Sequence, residues 1–259
     1  MKIAKLILAA VATLALTAGG ALAKDWKKVV IGTEGAYPPF NYVDTDGKVK
    51  GFDVDIALAL CAEMKVECEV VTQDWDGIIP ALLAGKFDAI IASMSITPER
   101  QKTIAFTDKY YNTPPAVAAP KDTTIAGVTP EDLKGKTIGV QSSTTHADFV
   151  EKMLPDSTMK AYPTSDEYKL DLASGRIDAA VDDVVVLSEW LKTDAGACCK
   201  IVGTIKPVIE IHGPGAGIGL RKEDTDLRDM FNAAIKAIRA NGKYQEINAK
   251  YFPFDVYGD

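Results

Sequence analysis

The chain has 259 residues, 47% of them hydrophobic and 25% charged, a composition that can bury a sizeable core in one or two domains and excludes a disordered or fibrous chain. A formal net charge of −7 offers no broad cationic footprint for a phosphate backbone or an anionic membrane, so no nucleic-acid partner is expected. The four cysteines and two histidines, His146 and His212, show none of the ligand spacings of a zinc site, and neither a metal nor a cofactor is expected.

Residues 1–23 combine Lys2 and Lys5 with an apolar run and then Ala21-Leu22-Ala23, the pattern of a cleaved secretory signal peptide. The run is shorter than the roughly 20 residues of a spanning helix. Its removal leaves 27 basic and 36 acidic side chains, a mature charge of −9, on a chain expected in the periplasm. From residue 28 onward short apolar strands alternate with amphipathic helices, the pattern of an α/β fold with largely parallel sheets. The spacing predicts a strand over 29–33, a helix over 52–64, a strand over 66–71 and a helix over 76–84 stopped by Gly85. Cys61 closes that first helix and Cys68 opens the following strand, so the turn between them brings the two within bridging distance. In an oxidising compartment such a bridge contributes about 2.5 kcal/mol on a chain-entropy model; the alternative is two free buried thiols. Cys198 and Cys199 are neighbours and are left unassigned.

A strand over 87–91 comes next, then a helix with Thr97 as N-cap and Pro98 at its first position. Residues 111–129, with Pro114, Pro115, Pro120 and Gly127, read as a crossing between lobes. A short helix then starts at Thr129-Pro130, a strand covers 136–140, and Ser143 caps a helix running toward Met153. A closing strand over 218–220 and a helix over 225–240 are assigned back to the first lobe. That lobe is therefore discontinuous, 24–113 and 208–259, with 114–207 as the second.

An internal echo supports two similar lobes. Gly85-Lys86-Phe87-Asp88-Ala89 recurs as Gly175-Arg176-Ile177-Asp178-Ala179, and Lys28-Val29-Val30-Ile31-Gly32 resembles Lys136-Thr137-Ile138-Gly139-Val140. In open α/β sheets ligands sit beyond the carboxyl ends of the strands. This rule nominates Glu34 to Tyr37, Gln141 to His146, Ala92 to Ser95 and Asp183 as facing one another across a cleft. Arg100, one turn into its helix, has the planar fork that grips a carboxylate. Ser93, Ser95 and Thr145 add neutral groups, and Asp183 answers an ammonium or merely caps a helix.

These residues lie in blocks that resemble the periplasmic solute-binding proteins for polar amino acids, the lysine/arginine/ornithine- and histidine-binding proteins and their opine-binding relatives. The blocks are Gly51-Phe52-Asp53-Val54-Asp55, the run from Asp88 through Ser93-Met94-Ser95-Ile96-Thr97-Pro98-Glu99-Arg100, Gly175 to Asp178, Gly219-Leu220-Arg221-Lys222-Glu223-Asp224, and the ending from Lys250-Tyr251-Phe252 to Tyr257. The resemblance spans the mature chain and implies a two-lobed α/β fold of the periplasmic-binding-protein type, each lobe a mostly parallel sheet flanked by helices. It implies that Arg100 and Thr145 hold an α-carboxylate, that Asp183, Ser93 and Ser95 hold an α-ammonium, and that Cys61 and Cys68 are bridged. It also implies a monomeric, non-catalytic receptor that delivers its ligand to an inner-membrane ABC permease.

Departures from the family lie where the ligand's side chain binds: Glu34 for aspartate, Trp75 for a smaller residue, Ala92 for serine and His146 for glutamine. Several of them resemble the opine-binding branch. Once Arg100 answers a carboxylate and Asp183 an ammonium, Glu34 has no partner, and burying it unpaired costs several kcal/mol. A cationic ligand side chain, sandwiched by Tyr37 and Trp75, removes that cost. Arginine, lysine, ornithine or a guanidinium-bearing opine is thus expected. The competing classes are a periplasmic dehydratase or similar lyase using Glu34 or His146, and a ligand-sensing module for a membrane kinase.

Overall fold

A computed structural model describes residues 24 and 26–258; the expected signal peptide, residues 1–23, lies outside them. The first half begins with β1 (Lys28–Thr33) and a small three-stranded sheet of β2 (Ala36–Tyr37), β3 (Asn41–Val43) and β4 (Val49–Lys50). Then come α1 (Phe52–Met64), β5 (Glu67–Thr72), a 3₁₀ turn (Trp75–Gly77), α2 (Ile78–Leu83), β6 (Ala89–Ile90), α3 (Pro98–Gln101) and β7 (Ala105–Tyr111). The chain then forms β8 (Pro115–Pro120), α4 (Pro130–Leu133), β9 (Thr137–Gln141), α5 (Thr145–Met153), β10 (Thr158–Tyr162) and α6 (Ser165–Ala173). It continues through β11 (Ala179–Asp183), α7 (Val184–Trp190), β12 (Cys199–Thr204) and α8 (Ile209–His212). It ends with β13 (Ala216–Leu220), α9 (Thr225–Ala240) and α10 (Lys243–Tyr251).

The strands form two five-stranded sheets of the same design, β5-β1-β6-β13-β7 and β10-β9-β11-β8-β12. In each, three adjacent strands run parallel and the fourth is antiparallel to its neighbours, so four of the five share one direction. One lobe surrounds each sheet. The late strand β13 lies in the first sheet, where the sequence assigned it, and α9 packs Leu227, Phe231, Ala234 and Ile238 into the same core as β1 and α1.

Residues 111–129 are not merely a crossing. They contain β8, buried between β11 and β12. Its run Pro115-Ala116-Val117-Ala118-Ala119-Pro120 lacks two-residue alternation because both faces are covered, and its prolines stand at the two ends. The cap of α5 also differs: Thr144, not Ser143, accepts the Ala147 N–H (3.1 Å), while Ser143 takes a left-handed φ of 57°.

The two-lobe echo extends to individual hydrogen bonds. Gly85 and Gly175 both have left-handed φ, 73° and 69°. The Asp88 carboxylate accepts the Val30 N–H (3.0 Å) and the Asp178 carboxylate the Thr137 N–H (2.7 Å). Ile31 pairs with Ala89, and Ile138 with Ala179. The equivalence is thus Ile31-Gly32 with Ile138-Gly139, one residue away from the alignment the sequence suggested. That shift matters, because it places Glu34 and Gln141 at equivalent positions in the two lobes.

Cys61 and Cys68 form a disulfide with Cα atoms 6.1 Å apart. Cys198 is an exposed and Cys199 a buried free thiol. Among the described residues no helix is long and apolar enough to cross a membrane.

Candidate functional site

Between the sheets lies a cavity lined from both lobes. Ten of the eleven nominated residues line it, and all stand where the strand-end rule puts them or on the short helices that follow. From the first lobe come Glu34 after β1, Tyr37 on β2, Trp75 after β5, Ala92, Ser93 and Ser95 after β6, and Arg100 on α3. From the second come Gln141 at the end of β9 and Thr145 and His146 in the first turn of α5. The eleventh, Asp183, lines an adjoining cavity that shares Tyr37, Ser93, Ser95, Thr145 and His146 with the first. Asp183 also caps α7 through the Val185 N–H (2.8 Å), so the capping and cleft-facing expectations both hold.

The lobes meet across this cleft in a closed arrangement. Gln141 Nε2 donates to Glu34 Oε1 at 2.6 Å. Asp76 accepts the hydroxyls of Ser142 (2.9 Å) and Ser143 (2.7 Å). Arg100 Nη1 donates to the Ser95 carbonyl in its own lobe (3.0 Å), and Nη2 to the Ser143 carbonyl in the other (3.1 Å). The Trp75 ring lies over the Arg100 guanidinium, 5.3 Å away, and Trp75 Nε1 donates to the Ser143 carbonyl (3.2 Å). The Tyr37 hydroxyl donates to Asp182, and both rings line the cavity.

Burial sets the electrostatics. It lifts the Glu34 carboxyl to about 7 despite the Gln141 hydrogen bond, with Asp182 adding repulsion. It lifts Asp183 to about 7 as well, against the hydrogen bond from Thr113. Burial lowers Arg100 to about 10, which leaves it charged at neutral pH. Burial likewise lowers His146, with Asp182 opposing, and holds His212 down to about 4. The cleft therefore offers two carboxyl groups and one guanidinium, with both imidazoles neutral at pH 7.

Residues 29–254 match the sequence model of the bacterial extracellular solute-binding proteins, family 3. The chain belongs to that family. The L-arginine-binding protein of Pseudomonas aeruginosa is 48% identical over 235 residues, 90% of each chain. The histidine-binding periplasmic protein of Escherichia coli strain K12 is 40% identical over 98% of this chain and 99% of its own. Among solved structures, a Salmonella typhimurium periplasmic binding protein described as having high arginine specificity superposes with a TM-score of 0.80 at 33% identity, covering 87% of this chain and 99% of that one. These relatives are binding proteins by description, and the Salmonella structure shares this fold.

For a family 3 chain, several residues at or behind the cleft were not singled out by sequence reading. Thr144 lines the main cavity and falls inside the nominated span 141–146, so the strand-end rule reached it without singling it out. Thr113 binds Asp183 from the lobe crossing, a segment with no periodic signal. Asp182 is buried, accepts the Tyr37 and Tyr168 hydroxyls and lies 3.3 Å from His146 Nδ1. In the echo it is equivalent to Ala92, a pairing visible only once the two halves are aligned.

Proposed function

We propose that this chain is a periplasmic receptor for a basic amino acid of the arginine, lysine and ornithine class, closing its lobes on the ligand and delivering it to an inner-membrane ABC permease. The mature protein is a monomer released after removal of residues 1–23. One lobe holds 24–113 and the C-terminal part of the chain, and the other begins at 114. We place the return crossing at 213–215 rather than at 207/208, because Ile211 of α8 packs with Val140, Phe149 and Val150 of the second lobe.

The observation that carries the reading is the charge balance of the cleft, with Glu34 and Asp183 both lifted to about 7 around a single arginine. A zwitterion with a cationic side chain supplies what is missing. Its carboxylate meets Arg100 and the first turn of α5 at Thr144 and Thr145, its ammonium meets Asp183, Ser93 and Ser95, and its side-chain cation meets Glu34 beside Tyr37, Trp75 and Gln141. Ala92 and His146 shape the walls.

Calorimetry on Glu34→Gln tests this reading. The variant is expected to lose about 100-fold in affinity for L-arginine, ~2.7 kcal/mol; an unchanged dissociation constant contradicts it. Recovery of the ligand chemically intact after long incubation separates a receptor from a dehydratase or other lyase. A thermal-shift screen that includes octopine and nopaline separates free amino acids from opines, since a ligand at 100 times its dissociation constant stabilises by about 2.7 kcal/mol.

A further inference from the structure

Asp53, in the first turn of α1, is fully buried, whereas Asp55 two residues on is half-buried and meets Lys250. Its carboxylate accepts three hydrogen bonds, from Asn41 Nδ2 (2.8 Å), Ser93 Oγ (2.9 Å) and the Tyr110 hydroxyl (2.7 Å). Each partner reaches onward. Asn41 Oδ1 accepts the Gly35 N–H (2.8 Å), which fixes the loop carrying Glu34. The Tyr110 oxygen accepts the Ser93 N–H (3.0 Å), and Ser93 itself holds a left-handed φ of 55°. One carboxylate behind the cleft thus ties together two of the loops that form its first-lobe wall.

The consequence concerns a single proton. A serine hydroxyl has one hydrogen to donate and two lone pairs. Ser93 also lies within hydrogen-bonding reach of the Tyr111 hydroxyl, but the carboxylate of Asp53 is the stronger acceptor and takes the single hydrogen, so only lone pairs remain for the cleft. We propose that Asp53 is a positioning residue that makes Ser93 an obligate acceptor, so that this wall selects a ligand bearing an α-ammonium. The proposal rests on the amino-acid reading above and deepens it. Recognition of the ammonium then belongs partly to a residue that never touches it.

The test compares L-arginine with 5-guanidinopentanoate, the same molecule without its α-ammonium, on wild type and Asp53→Asn. An asparagine can present its amide hydrogens to Ser93 and free the hydroxyl to donate into the cleft. Asp53→Asn is expected to weaken L-arginine by about 10-fold and the deamino analogue by less than about 2-fold. Ser93→Ala is expected to show the same selective loss, with the double variant no worse than either single one. Equal weakening of both ligands, or of neither, overturns the proposal. Wild type binding no basic amino acid overturns the underlying reading as well, and that outcome is distinct. Neutron diffraction of the wild-type complex needs no variant to fold: the Ser93 deuterium must lie on the line to Asp53, and a deuterium directed at the ligand overturns the assignment.

Discussion

Glu34 and Asp183 carry protons that most surface carboxylates have lost by pH 5, and this makes both stability and affinity depend on pH in opposite senses. Their folded values, about 7, lie above the ordinary 4.5 and 3.8, so the folded protein binds protons more tightly than the unfolded chain. That contribution to stability is fully present below about 4 and is lost as pH rises through 7. Asp53, lifted by burial to about 6, acts in the same direction. Under the proposed assignment a cationic ligand reverses the preference, because pairing with it would return Glu34 and Asp183 to the charged form. Two half-protonated groups then release about one proton per ligand at pH 7. Calorimetry in buffers of different ionisation enthalpy is expected to find this release, with affinity for arginine weakening from pH 8 to pH 5. Binding without proton exchange and with flat affinity contradicts the charge assignment. His146 and His212, both held down by burial, stay neutral across most of this range.

At the scale of elements, closure is fastened where the 3₁₀ turn of one lobe meets the entrance of α5 in the other. Asp76 accepts hydroxyl protons from Ser142 and Ser143, and the Ser143 carbonyl receives both Trp75 and Arg100. These bonds join the two lobes directly. Asp76→Ala is therefore expected to speed ligand release by roughly 10-fold with little change in association, as followed by tryptophan fluorescence in stopped flow; an unchanged release rate contradicts the latch. The same contact explains a limit of sequence reading. In Ser142-Ser143-Thr144-Thr145 several hydroxyls can cap a helix, and the choice falls to Thr144 because the preceding pair is drawn to Asp76 of the other lobe. Local chemistry sufficed at Thr97 and Thr129, whose side chains accept the Arg100 and Asp132 N–H groups as their spacing predicts. It failed at β8, where a strand covered on both faces and flanked by prolines carries no alternation to detect.

For the whole molecule, repetition made the architecture legible. Two Gly-x-x-Asp-Ala junctions announced two lobes, and their strand ends marked almost every residue around the cavity. The finer alignment of the lobes needed coordinates, since a one-residue slip in the first strand leaves the apolar pattern intact while moving each side chain to the opposite face. With the register fixed, Glu34 and Gln141 become equivalent residues that meet across the cleft at 2.6 Å. Asp182 shows the complementary failure, as a buried carboxylate beside another acid gives no periodic sign of the tyrosines that hold it. Under the proposed assignment, closure around Arg100, Glu34 and Asp183 requires a second positive charge on the ligand. Direct titration of the wild-type protein with L-arginine and with L-citrulline, its neutral isostere, tests it most simply. Arginine is expected to bind at one per chain and about 100-fold more tightly, ~2.7 kcal/mol; equal affinities contradict the account.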